Sequence, residues 1–171
     1  QSPPRLPRAA VALCLLSVLP YVGMVIAEPE YVARQGAETV SRAVVLSALA
    51  TLQIAAVMMT ARFPYWVLGI VASADLIILI ASDRSGLGSV AVMVVIWYLV
   101  RYRVPGWQIA LFANVIAFIL VFLMGEVHSG HRGMIAMILL LSVHLLQRYL
   151  LPVAVAEYML GRERLHQALR D

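Results

Sequence analysis

Long apolar runs, each closed by a short cluster of Arg, Gly, Pro or acidic residues, make up nearly the whole chain. Six of them reach or approach the about 20 residues that a membrane-spanning helix needs. They run from Ala9 to Ala27, Thr39 to Ala61, Phe63 to Ser82, Gly88 to Val100, Trp107 to Gly125 and Gly133 to Ala156. The fourth is short, and Trp97, Tyr98 and Tyr102 are placed to anchor it at an interface. Between the runs stand "EPEYVARQGAE", "ARFPYW", "SDRSGLGS", "RYRVPGW" and "GEVHSGHRG". Pro20 and Pro152 fall inside helical patterns and are expected to kink them. The pattern predicts an all-α integral membrane protein, a six-helix transmembrane bundle in the plasma membrane with the lipid bilayer as its partner. The expected division is a bundle over 1–156 and a helix entering water over 157–171.

Charge orients that expectation. With the N-terminus inside, Arg5, Arg8, Arg62, Arg101, Arg103, Arg148, Arg162, Arg164 and Arg170 fall on the inner side. Arg34, Arg42, Arg84 and Arg132 fall on the outer side. Nine Arg against four predicts cytoplasmic N- and C-termini.

Composition narrows the function classes. Of 171 residues 63% are hydrophobic and 13% charged, with a mean hydropathy of +0.90. All thirteen basic residues are Arg. Without Lys there is no Walker A loop and no pyridoxal or retinal Schiff base. The net charge of +4 lies in loops and chain ends and does not argue for nucleic acid. The single Cys, Cys14, sits in an apolar run and reads as core packing.

Few residues carry candidate chemistry. Asp75, in "VASADLIILIAS", lies deep in its run, roughly 18 Å from the helix end at 1.5 Å per residue. His144 falls at a similar depth, with Gln53 and Asn114 somewhat nearer the inner side. A buried Asp needs a partner, so Asp75 and His144 are the expected polar pair of a proton-, ion- or ligand-responsive site. The alternative is a protonated Asp75 bonded to Ser73 or to a neighbouring helix. Gln53 and Asn114 suit hydrogen bonding between helices as well as ligand contact. Glu126, His128 and His131 crowd the last outer loop and could bind a divalent cation or titrate with external pH, or simply be solvated. No protease or phosphate-loop pattern appears, and no catalytic residue or metal site is assigned.

The chain closes with "AEYMLGRERLHQALRD", where Leu165 and Leu169 are four apart and Tyr158 and Leu165 seven apart. That spacing suits a two-stranded helical seam and hence a homodimer. Together with "TARFPYWVLGIVAS" and "VVIWYLVRYRVPGW", this closing segment resembles the N-terminal membrane domain of actinobacterial sensor histidine kinases of the NarL- and DesK-like group. The matching residues are Tyr98, Arg101, Tyr102 and Arg103, then Tyr158, Arg162, Leu165, Ala168, Leu169, Arg170 and Asp171. The resemblance implies a sensing domain that relays a stimulus through its last helix to a kinase core, with a response regulator as partner. ATP and Mg would belong to that core, and these residues hold no cofactor of their own. A second reading is a small membrane subunit or accessory protein of a transporter complex.

Overall fold

The computed structural model describes residues 4–16, 37–82, 90–127 and 131–171. Residues 8–16 are helical. Six α-helices follow: α1 (Ala37–Met58), α2 (Pro64–Ser82), α3 (Val90–Tyr102), α4 (Gly106–Val127), α5 (His131–Leu145) and α6 (Leu151–Ala168). A π-helical turn, Leu146–Leu150, joins α5 to α6. The chain divides into two compact units, Gln1–Val95 and Ile96–Asp171, with the boundary inside α3.

Helices stand where the apolar runs place them, but the membrane bundle does not follow. Among the described residues, no helix is long and apolar enough to cross a membrane. This overturns the six-span bundle, its N-in/C-in orientation and the plasma-membrane placement. Helix length is one physical reason. Helix α3 has 13 residues and α5 has 15, rises of roughly 20 and 22 Å against a hydrocarbon core of about 30 Å. The run from Gly133 to Ala156, read as one span, is divided among α5, the π turn and the start of α6. Helix α1 has Glu38 and Arg42 near its start, and α6 carries Glu157, Arg162, Glu163 and Arg164. The first expected span lies largely outside the described residues. The interface role expected of Tyr98 also fails, because its side chain is wholly buried.

In the first unit, α1 and α2 form an antiparallel hairpin. Met59 O ends the turn between them, accepting from Arg62 N at 3.1 Å and Phe63 N at 3.0 Å. Pro64 then opens α2, where its fixed φ suits a first helical turn and its missing N–H costs nothing. Ala50, Val57, Val67, Leu68, Val71 and Ala72 are buried along the hairpin.

In the second unit, α4 packs against α5, the π turn and α6. Helix α3 ends because Pro105 cannot continue it and disfavours helical backbone at Val104. Leu99 O closes the end, accepting from both Arg103 N and Val104 N at 2.8 Å. Helix α4 leaves Trp107, Leu111, Val115, Phe118 and Phe122 exposed at spacings of four, four, three and four.

Candidate relay site

Helix α6 packs on α4 and on the π turn, and side chains also reach it from the short stretch that ends α3 and starts α4. Trp97 and Arg101 are one turn apart on α3, and Met159 and Glu163 one turn apart on α6. The Trp97 indole Nε1 donates to Met159 Sδ at 3.4 Å. Arg101 Nη2 donates to Glu163 Oε1 in a charge-assisted ion pair. Both contacts join residues 62 positions apart, so the two helices run parallel where they meet. One turn back along α6 from Gly161, Glu157 Oε1 accepts the backbone N–H of Gly106 at 3.2 Å. That N–H opens α4 and has no acceptor within its own helix, so a carboxylate there also meets the positive helix end.

Aromatic packing stiffens this corner. Tyr102 meets Trp97 edge to face at 6.3 Å between centroids and lies 5.1 Å from Tyr98. The Arg101 guanidinium sits 5.7 Å over the Tyr102 ring. Arg101 is therefore held from one side by an aromatic face and from the other by a carboxylate. Its hydrogen bond draws Glu163 below the usual carboxylate range and raises Arg101. Glu163 is half exposed, so water and salt screen the pair. The Met159 sulfur is a weak acceptor, and the Arg101–Glu163 pair is screened by solvent, so neither contact by itself holds the helix firmly.

The π turn lies at the other end of α6. Leu151 N donates to Leu146 O, five residues back, in place of the usual four. Pro152 supplies the cause: it has no N–H to give, and its ring collides with the carbonyl four residues earlier, at Arg148. Widening the turn by one residue removes both conflicts without ending the helix. The kink expected at Pro152 thus takes the form of a π turn directly before it. Arg148 and Tyr149 are buried within that turn, and His144 just before it. Single π turns inside helices recur at functional and hinge positions.

The remaining sequence candidates belong to both units. Asp75 is buried on α2 in the first unit, and His144 is buried on α5 in the second. Gln53, buried on α1, donates from Nε2 to Val71 O at 3.2 Å, reaching α2 one turn before Asp75. Its Oε1 has no hydrogen-bond partner among the described residues. Ser73 is exposed and donates to Gly69 O at 2.7 Å. Asn114 is also exposed and donates to Ala110 O within α4, which removes it from the buried polar set. His128 lies outside the described residues, while the backbones of Glu126 and His131 belong to α4 and α5. Among the described residues, no group of three His, Cys, Asp or Glu is placed to hold a metal.

Tyr158, Arg162, Leu165 and Leu169 are all exposed along α6 and its end. Sequence reading singled out these residues but passed over Trp97–Met159, Glu157 and the π turn. No local pattern signals these pairs, because the partners stand 51 and 62 residues apart. Set against protein-family models, curated proteins and solved structures, the chain finds no match.

Proposed function

We propose that the chain is a helical signal-relay domain of the sensor histidine kinase type, with α6 as its output. The observation that supports this most is the design of α6. It starts at a π turn with buried Arg148 and Tyr149, and it is fastened midway by Glu157, Met159 and Glu163. From Gly161 onward every residue is exposed. A helix that is gripped at its root and bare at its tip transmits a tilt or rotation to whatever is attached to it. The resemblance to sensor kinases carries the rest: a homodimer seam through Tyr158, Leu165 and Leu169, a response regulator as partner, and ATP and Mg used by a kinase core. The stimulus would act on the buried polar side chains, Asp75 and Gln53 in one unit and His144 and Arg148 in the other.

Interchain crosslinking tests the output helix. Single Cys residues at Leu165 or Gln167, in a Cys14→Ser background, are oxidised in the whole protein. The seam predicts a strong disulfide dimer at Leu165 and a weak one at Gln167. Equal yields at both, or none at either, would remove the paired helix from the proposal.

A further inference from the structure

Three polar contacts on α6 have partners inside one ten-residue stretch, Trp97 to Gly106. Glu157 holds the N–H of Gly106, Met159 accepts from Trp97, and Glu163 pairs with Arg101. Each is reached by a side chain across a gap, and Glu157, Met159 and Glu163 are all at least partly exposed. The fit at Gly106 is close: a Cβ there would come within 2.7 Å of Glu157 Oε1 and 2.8 Å of Val153 Cγ1. Above these contacts, the π turn is a ready point of rotation for everything from Leu151 on.

We propose that these three contacts form a releasable clasp, a regulatory device that holds α6 in one orientation against the end of α3. Shut, it fixes the direction in which Tyr158, Leu165 and Leu169 face. Open, it lets α6 turn about Leu146–Leu150, and the apolar residues change direction together. The contacts suit release because each is individually weak. Arg101 keeps its stacking partner Tyr102 when Glu163 leaves, so the aromatic side of the corner persists when the clasp opens. As a control on output, the clasp rests on the relay reading; as a physical contact, it stands or falls by itself.

The test reads distance rather than signalling. Spin labels are placed at Arg103 and His166, both exposed, in the whole protein with Cys14→Ser. The unaltered clasp gives one narrow distance distribution. Arg101→Glu broadens it or adds a longer population, and Arg101→Glu combined with Glu163→Arg narrows it again. Helical content by circular dichroism stays unchanged in all three, because neither side chain makes a hydrogen bond that holds a helix backbone. A distribution unaffected by Arg101→Glu would overturn the clasp. So would broadening that the charge reversal leaves uncorrected, because that marks damage and not a lost ion pair. Failure of the relay shows separately, as normal clasp opening without any change at the Leu165 crosslink.

Discussion

The Trp97 indole N–H donates to the thioether of Met159, 62 residues later, at 3.4 Å. Arg101 and Glu163 repeat the same offset one turn further along both helices. Sulfur is a weak acceptor, and this contact adds to the setting that α6 takes from its packing on α4 and the π turn. Met159→Leu keeps the apolar bulk and loses the acceptor; Met159→Gln keeps an acceptor at a similar reach. Leu is expected to cost about 0.5–1.5 kcal/mol and Gln less than that. The urea midpoint at constant slope measures both. A Leu variant as stable as the parent would show that the contact contributes only packing.

Two glycines in the second unit invite opposite outcomes from the same substitution. Gly106 has no room for a methyl group, because Val153 Cγ1 is a branched neighbour that cannot swing away as the Glu157 carboxylate can. Gly106→Ala should destabilise by about 1–3 kcal/mol through overpacking and loosen the cap of α4. Gly161 has nothing within 4 Å of the same position and lies inside α6. Gly161→Ala should therefore stabilise by roughly 0.5–1 kcal/mol through helix propensity alone. Thermal melts of the two single variants read both signs. Like signs for the pair would contradict the placement of α6 against the start of α4.

Much of the helix order was legible, because apolar runs record burial and Pro records chain breaks. Pro64 and Pro105 mark the helix junctions where the structure has them. The membrane reading erred because an apolar run says nothing of where its helix is divided. The run from Gly133 to Ala156 contains a π turn whose cause is the steric demand of one residue, Pro152, on the turn before it. Gln53 was legible as a buried polar residue, but its acceptor, Val71 O, is a backbone atom that no pattern of side chains reports. The clasp was hidden for a further reason: its partners are 51 and 62 residues apart, beyond any local periodicity. Asn114 resembled Gln53 in the sequence and differs from it only by facing outward.

Acid should weaken the grip on α6. Arg101 holds the Glu163 carboxyl below its ordinary value of 4.5, chiefly through their hydrogen bond. A depressed carboxylate gives stability that is complete above its unfolded value and fades as pH falls through the folded one. The contribution is thus present at neutral pH and lost below about 4.5. Glu163→Gln removes this dependence, so parent and variant should differ at pH 7 and converge on the acid side. The gap at pH 7 should also shrink in high salt, because Glu163 is half exposed. Spin-label distances between Arg103 and His166 across pH 3 to 7 are the measurement. A gap that persists unchanged into acid would mean that the ion pair does not set the position of α6.

Cys14 should be slow to react in the folded chain. Burial pushes its thiol up to about 11 from an ordinary 9.0, because the surroundings disfavour the charged thiolate. The thiolate is the nucleophile, and a rise of two units leaves about a hundredth of the usual fraction at a given pH below 9. Alkylation by iodoacetamide at pH 8 should therefore be at least about a hundredfold slower in the native chain than in denaturant, and burial of the sulfur adds to the delay. The same shift makes a statement about stability. A raised value favours the folded state fully below 9 and withdraws that favour as pH climbs from 9 towards 11, where the unfolded thiol ionises and the folded one resists. Native stability should fall across that interval, and Cys14→Ala should remove that part of the fall while costing some packing at every pH. Equal alkylation rates in native and denatured chains would place the sulfur at the surface and remove Cys14 from the core.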